Sequence, residues 1–431
     1  MKPTNNRETA KAPSSTLLDG IELKMVRQSF RSAFLAFAIA FDVIASTSVA
    51  AGPDDGLWQA TADVSGAQIP FRLEISGEGA SVHAHFFDGS RSTNPGAGEL
   101  RGGHLHLTFP SYAAVLDATL TGGRLDGTYT VGVSGHPIAI HATRGAPPAA
   151  VAATAPQIAG EWIIPYNSPK GETAWRLIVR QAGATAQAAI LRIDGDTGTL
   201  SGRFAGGHFE LSHFAGERPA LLEATPAADG SLKLVLVDGS GRRDFSAVRP
   251  SVAAAQGLSP TDPTRHTSVS DAGQPFRFAF KDLAGREISN NDPRFRHKVV
   301  IVDVMGSWCP NCHDEAPFLQ SLYTRHHGEG LEIVALDFEQ PDQLANPARL
   351  RAFIQRYGIS YTVLLAGEPK EVNAKLPQAV NLNAWPTTFF LGRDGRVKSV
   401  HVGFTSPGSG PRDAQTRAEV EHEVETLLAS R

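Results

Sequence analysis

The sequence predicts an α/β C-terminal domain preceded by two duplicated antiparallel all-β modules. In the first half, alternating apolar and polar segments such as "FRLEIS" (71–76) and "HFELSHF" (208–214) lie between glycine-rich turns, which is typical of strands. From about residue 276, apolar strands alternate with amphipathic helices. Both cysteines of the 431-residue chain, Cys309 and Cys312, lie in that second part, where a strand gives way to a helix.

The composition is that of an ordinary globular protein. Apolar residues make up 41% of the chain and charged residues 19%, so the chain can bury normal cores. Its length fits roughly two to four domains. The formal net charge is −4 and no basic tract is present, which argues against nucleic acid as a partner.

Residues 1–51 read as a polar extension followed by a signal peptide. A basic start after Met25 leads into an apolar run at 33–49 and then small residues. That order is the signature of secretory export, so we expect a periplasmic protein. A retained membrane anchor is the alternative, but it needs about 20 clean apolar residues and Asp42 interrupts the run.

Two segments before the cysteines repeat the same landmarks. Trp58 and Trp162 are 104 residues apart, and so are the Gly-Gly-His triplets at 102–104 and 206–208. A shared order of landmarks indicates an internal duplication. We predict two small antiparallel sandwiches or barrels, at 57–145 and 158–249.

The connecting segments are rich in proline and alanine. The segment 145–157 joins the two modules, and 249–275 reads as a flexible tether, with a linker at 250–274 before the α/β domain. The Gly-Gly-His histidines lack companions at metal-ligand spacing, so we expect strand or turn histidines and no metal.

The α/β domain is predicted to span 275–431. Gly358 ends one of its helices, and Arg393–Gly395 form the turn of a hairpin. The expected strands are 276–280, 297–306, 331–338, 360–366 and the hairpin 387–403, and the expected helices are 310–327, 346–358 and 412–430.

Cys309 stands where a helix begins, and Cys312 follows about one turn later. Unpaired N–H groups and the positive end of the helix dipole stabilise a thiolate at such a position. Pro310 fits the first helical turn, where its missing N–H costs nothing. We therefore expect Cys309 to be an exposed nucleophile and Cys312 a buried resolving thiol.

Two other readings of the cysteine pair are weaker. A zinc site needs two more ligands, and the nearby His326 and His327 are adjacent rather than spaced like a ligand pair. A structural disulfide closing so short a loop would add little stability. The pattern favours redox chemistry.

The segment 275–431 resembles thioredoxin-fold, exported thiol-disulfide oxidoreductases of the TlpA/ResA type. The resemblance rests on Trp308 to Cys312 (Trp-Cys-Pro-Asn-Cys), on Glu315, and on Trp385-Pro386-Thr-Thr-Phe further on. It implies a cis bond at Pro386 and a groove near Trp308 and Trp385 that binds an extended substrate. Alternatively, Pro386 only begins an edge strand and Trp385 only packs.

Two carboxylates attract attention beside the cysteines. Glu315 matches a family glutamate implicated in thiol protonation, although a first-turn glutamate also complements the helix dipole. Asp303 lies where thioredoxins carry a buried aspartate, whereas TlpA/ResA-type proteins more often have asparagine. A buried aspartate could shuttle a proton for Cys312; the alternative is a surface-facing or hydrogen-bonded side chain.

The resemblance implies a reductase that needs no cofactor. Cys309 would attack the disulfide of an exported protein, possible substrates including apocytochrome c, and a membrane donor of the DsbD/CcdA type would restore the dithiol. A disulfide oxidase or isomerase with the same site remains an alternative. So does an envelope partner-binding β protein with an accessory redox domain. A peroxiredoxin is disfavoured, because Cys309 lacks the Pro-x-x-x-Thr-x-x-Cys setting.

Overall fold

A computed structural model describes residues 55–132, 135–145 and 154–430. The predicted polar extension and signal peptide at 1–51 lie outside the described residues, as does most of the first connecting segment. Within the described part, no helix is both long enough and apolar enough to cross a membrane.

The first module is a closed barrel of eight antiparallel strands. Strand β1 pairs with both β2 and β8, which closes the sheet on itself. Inward-facing side chains alternate with exposed ones, and large residues such as Trp58, Phe86 and Tyr129 fill the interior. The strands are β1 Gly56–Val64, β2 Ala67–Glu78, β3 Ser81–Asp88, β4 Arg91–Arg101, β5 His104–Phe109, β6 Ala114–Thr121, β7 Arg124–Val131 and β8 Ile138–Arg144.

The second module is a nine-stranded antiparallel sheet that curls into a barrel-like form. Its two edges meet where Ile163 and Val248 exchange backbone hydrogen bonds of 2.8 and 2.9 Å. The strands are β9 Gly160–Pro165, β10 Ala174–Ala182, β11 Thr185–Arg192, β12 Gly195–Asp196, β13 Leu200–Ala205, β14 His208–His213, β15 Ala220–Pro226, β16 Leu232–Asp238 and β17 Gly241–Ala247. The prediction of two all-β modules is confirmed.

The repeated landmarks occupy equivalent places in the two modules. Trp58 of β1 pairs with Leu73 of β2, and Trp162 of β9 pairs with Leu177 of β10. Each Gly-Gly-His triplet forms a turn and the first residue of a strand, at β5 and at β14. The shared register supports an internal duplication.

The segment 249–275 is mostly exposed, but it forms regular elements with fixed partners, so the expectation of a flexible tether is wrong. Its chain forms helix α1 Pro250–Ala255 and strand β18 Ser268–Val269, which pairs with β24 Ala379–Val380. Thr267 is buried, and His266 Nε2 lies 2.8 Å from Asn383 Oδ1. The α/β domain supplies these backbone and side-chain partners, and the local composition gave no sign of them.

The α/β domain is built on a seven-stranded mixed sheet ordered β20-β19-β23-β22-β21-β25-β26. Its interior strand β21, which precedes the cysteines, is buried at every residue. The expected strand at 276–280 starts later, because Phe276 and Phe278 pack into the core as irregular chain before β19 begins. The strands are β19 Ala279–Asp282, β20 Glu287–Ser289, β21 Val299–Met305, β22 Leu331–Phe338, β23 Thr362–Gly367, β25 Thr387–Leu391 and β26 Val397–Val402.

Helices and irregular chain together cover both faces of this sheet, which explains its nearly continuous apolar strands. The longest are α2 and α6, and α4 ends at Gly358 in a left-handed cap, as its sequence predicts. The helices are α2 Pro310–His326, α3 Pro341–Leu344, α4 Ala348–Tyr357, α5 Val372–Lys375 and α6 Pro411–Ala429.

Candidate active site

The junction between β21 and α2 places the two cysteines. Cys309 is the N-cap residue of α2, and its Sγ accepts a hydrogen bond from the backbone N–H of Cys312 at 3.3 Å. Both thiols are free. Cys309 is only 3% exposed and Cys312 2%. The expectation of an exposed Cys309 is therefore wrong, since the thiol faces the Trp385 backbone and the adjoining Asn311 is covered by the second module.

The predicted substrate-groove residues lie around Cys309. The Trp385–Pro386 peptide bond is cis, as expected. The Cys309 thiol lies 3.6 Å from the Trp385 carbonyl oxygen, to which it donates. The rings of Trp308 and Trp385 meet edge to face at 5.7 Å, and Trp308 Nε1 donates to the Phe338 carbonyl. Trp308 and Trp385 thus also pack against the core.

Asp303 and Glu315 come together through a threonine on the neighbouring strand. Asp303 of β21 is paired with Thr388 of β25, whose hydroxyl donates to Glu315 Oε1 at 2.9 Å. Asp303 is 3% exposed and Glu315 2%, so neither carboxyl faces solvent. Among the described residues, Asp303 Oδ1 and Glu315 Oε2 have no hydrogen-bond partner.

Burial sets the protonation of this group. It raises the pKa of Asp303 to about 8, and it raises the pKa of Glu315 well above its usual range, with the Asp303 charge adding to the effect. Burial also raises the pKa of the Cys312 thiol, helped by Cys309 and then by Asp303. A thiol and two carboxyls in one apolar enclosure cannot all be ionised, so protons are shared among them.

A second buried polar network lies on the other side of the motif, and sequence reasoning missed it. The Ser307 N–H donates to Asp337 Oδ1 at 2.9 Å, and the Ser307 hydroxyl donates to Glu339. Glu339 is paired with Arg349, and both are at most 1% exposed. In the sequence, Asp337 and Glu339 stand out as acids at the end of an apolar strand. No nearby residue indicates that Arg349 pairs with Glu339.

His313 links the motif to the first module. Its Nε2 lies 2.8 Å from the Ser307 carbonyl oxygen, its Nδ1 lies 2.9 Å from the Tyr357 hydroxyl, and its ring stacks on Tyr112 at 4.2 Å. Burial lowers the pKa of His313 well below its usual range. The neutral ring then donates from Nε2 to Ser307 and accepts at Nδ1 from Tyr357.

Both β modules are attached to the active-site helix by charge pairs. Asp314 accepts from Arg91 of the first module at 3.3 Å and from Arg218 of the second at 3.2 Å. Arg218 also donates to the side chain of Asn311, which lies between the cysteines. No local motif in either module indicated this contact.

One group of side chains among the described residues has ligand atoms close enough to hold a metal ion. These are His326, Glu421 and Glu425, whose ligand atoms lie within 4.8 Å of one another. His326 is bonded to Glu329 and Glu421 to Arg325, so ordinary ion pairs account for the group. None of its members is part of the cysteine site.

A capping cysteine, a second thiol one turn later and a cis-proline beside them, on this mixed sheet, define a thioredoxin-fold dithiol domain. Residues 272–400 match the AhpC/TSA family. The C-terminal part of the chain is therefore a thioredoxin-fold domain similar to the AhpC/TSA family.

The relatives cover only that C-terminal part. Thiol-disulfide oxidoreductase ResA of Geobacillus thermodenitrificans is 28% identical over 140 residues, which is 32% of this chain and 74% of the relative. ResA of Geobacillus kaustophilus is 26% identical over 164 residues, 38% of this chain and 82% of the relative. Among solved structures, a putative thiol:disulfide interchange protein DsbE from Chlorobium tepidum is 23% identical, with a TM-score of 0.30 over 38% of this chain and 100% of that one.

Proposed function

We propose that this chain is an exported reductase of protein disulfides that works through Cys309 and Cys312. One observation carries the proposal. The Cys309 sulfur lies between the Cys312 amide, at 3.3 Å, and the Trp385 carbonyl beside cis-Pro386, at 3.6 Å. A helix N-terminus stabilises the attacking thiolate, and the backbone beside the proline can pair with an extended substrate.

The reaction is two successive thiol-disulfide exchanges. The Cys309 thiolate attacks one sulfur of the substrate disulfide, which forms a mixed disulfide and releases the other substrate sulfur as a thiolate that takes up a proton. The Cys312 thiolate then attacks Cys309 Sγ. The mixed disulfide breaks and the substrate leaves as a dithiol. The substrate has gained two electrons from the cysteine pair, which is left oxidised as a Cys309–Cys312 disulfide.

The buried carboxyls receive the proton that Cys312 must lose. With a pKa of about 8, a fraction of Asp303 is ionised near neutral pH. That carboxylate can accept the thiol proton, because burial raises the pKa of Asp303 and makes it a stronger base than an exposed aspartate. Glu315, held by Thr388 at 2.9 Å, is the second proton store of the group.

The raised pKa of Cys312 favours the reducing direction. A strongly oxidising dithiol owes its potential to a reduced form that is stabilised as thiolate. Here burial works against a Cys312 thiolate.

Export rests on the sequence of residues 1–51. In an oxidising compartment the dithiol needs a donor, for which we propose a membrane protein of the DsbD/CcdA type; substrates could include apocytochrome c.

The test is the reduction potential of the cysteine pair in the full chain, equilibrated against glutathione or dithiothreitol, with Cys312→Ala as the control that forms no internal disulfide. We expect a value at or below roughly −230 mV, as in reducing thioredoxin-like proteins. A value near about −120 mV would make the chain an oxidant, and the assigned direction would be wrong.

A further inference from the structure

The second module extends a short hairpin across the α/β domain, and we call residues Ile193–Asp196 the hairpin tip. The tip follows β11 and consists of a two-residue turn and the two residues of β12. Ile193 is 3% exposed, and it packs in the hydrophobic cluster of the α/β domain, to which Val402 and Trp385 belong, rather than in the core of its own module. The tip therefore covers part of the surface of the α/β domain that would otherwise contact solvent.

The backbone of the tip contacts both walls beside the proposed nucleophile. The Asp194 carbonyl accepts a hydrogen bond from the side-chain amide of Asn311, two residues after Cys309. Gly195 forms a parallel bridge with Phe404. Next to Phe404, the Gly403 N–H donates to the Pro386 carbonyl oxygen at 2.8 Å. The tip thus spans from the helix start to the loop that holds the cis-proline.

A buried carboxylate anchors the tip to the same loop. Asp196 is 0% exposed, and its Oδ2 accepts from the Ser406 N–H at 2.8 Å, from the Ser406 hydroxyl at 3.0 Å and from the Ser409 hydroxyl. Arg218 adds a hydrogen bond to the Asp196 carbonyl oxygen at 2.6 Å while it holds Asn311. Such a set of directed bonds fixes one docked position, unlike a merely apolar contact.

We propose that the hairpin tip occupies, within the same chain, the groove that would otherwise take the substrate polypeptide, and so determines which disulfides reach Cys309. The inference rests on the proposed function, in which an extended substrate lies beside Pro386. While the tip is docked, Cys309 is only 3% exposed, and a folded protein disulfide has no path to it. The second module must withdraw before the first exchange.

Gly195 offers a substitution that acts directly on this contact, and its φ of 122° means that alanine there also strains the backbone of the tip. A methyl group at Gly195 would lie 2.1 Å from the Phe404 carbonyl oxygen and 2.7 Å from Asn311, so Gly195→Ala wedges the tip away from the groove. Gly183, in the β10–β11 turn of the same module, is the matched control. It also has a positive φ, of 62°, but a methyl group there meets nothing within 4 Å.

The experiment measures how fast a maleimide carried on a polyethylene glycol chain alkylates Cys309 in the full chain. Every protein carries Cys312→Ala, so Cys309 is the single thiol. The alkylation rate is measured at increasing pH until it no longer rises. At that plateau Cys309 is fully ionised, so the rate reports the accessibility of the sulfur alone. We expect Gly195→Ala to react roughly tenfold faster or more, because at least one interfacial hydrogen bond and its apolar contact are lost. Gly183→Ala should stay within about twofold of the parent.

Two results would overturn the proposal. One is a parent protein whose Cys309 reacts as fast as in the chain unfolded in urea. The other is a folded Gly195→Ala protein, judged by circular dichroism, that reacts no faster than Gly183→Ala. If Gly195→Ala does not fold, Asp196→Ala serves in its place, with the same expected direction. The alkylation rate does not depend on the direction of the redox reaction. The proposal about the tip can therefore be wrong while the proposed function is right, and the proposed function can be wrong while the tip covers the groove.

Discussion

Replacing Asp303 by asparagine removes a carboxyl whose burial opposes folding. The pKa of Asp303 is raised from 3.8 to about 8 by that burial. The native state then holds a proton that the unfolded chain has already released, so stability falls as the pH rises from about 4 to about 8. Each pKa unit corresponds to about 1.4 kcal/mol. Between about pH 5 and pH 7 the parent should lose about 3 kcal/mol that Asp303→Asn keeps.

The measurement is urea unfolding of the full chain at both pH values. Helical circular dichroism reports the α/β domain, since the six-residue α1 is the single described α-helix outside it. Comparing pH slopes cancels any loss of packing caused by the substitution itself. Asp244→Asn is the control, because Asp244 is 73% exposed on the second module and its slope should match the parent. Parallel slopes for Asp303→Asn and the parent would refute the account of a buried, protonated Asp303.

Three further outcomes follow from the same contacts. The reaction of the Cys312→Ala protein should stop at the mixed disulfide, which a non-reducing gel shows as a covalent substrate adduct. Continued turnover by this variant would show that Cys312 is not the resolving thiol. Arg349→Met leaves the Glu339 carboxyl, which is 0% exposed, without its ion-pair partner, so it should lower the free energy of unfolding by about 3–5 kcal/mol. A loss under about 1 kcal/mol in urea would contradict the network. Thr388→Val removes the donor to Glu315, should cost about 1–3 kcal/mol and should raise the pKa of Glu315 further; unchanged stability would show that this bond is not needed.

Local patterns were enough for the order and type of most elements. Alternation with period two marks the strands of both modules, and near-continuous apolar runs mark β21 and β22, because a sheet covered on both faces needs them. Gly358 ends α4 by the left-handed conformation that favours glycine. These signals act between residues close in sequence, so they can be interpreted without knowing the fold.

The cysteine spacing, the helix start and the Trp385-Pro386 dipeptide also defined the candidate site before any coordinates. The structure brings Cys309, Cys312 and Pro386 together and buries Asp303 and Glu315 beside them. That Thr388 lies beside Asp303 while it holds Glu315 depends on the pairing of β21 with β25. Strand register between distant segments leaves no mark within either segment, so this link could not be inferred from the sequence.

What the sequence alone determined is a dithiol motif on a recognisable α/β domain behind two duplicated β modules. What only the tertiary structure decided is how little of Cys309 is exposed and why. Around Cys309, contacts join Asn311 to Asp194, and Asp314 to Arg218 and Arg91. Other contacts hold the segment 249–275, which its composition suggested to be a tether, against the α/β domain. Each joins residues far apart in the chain, and such contacts arise from the packing of whole modules, which no local pattern records.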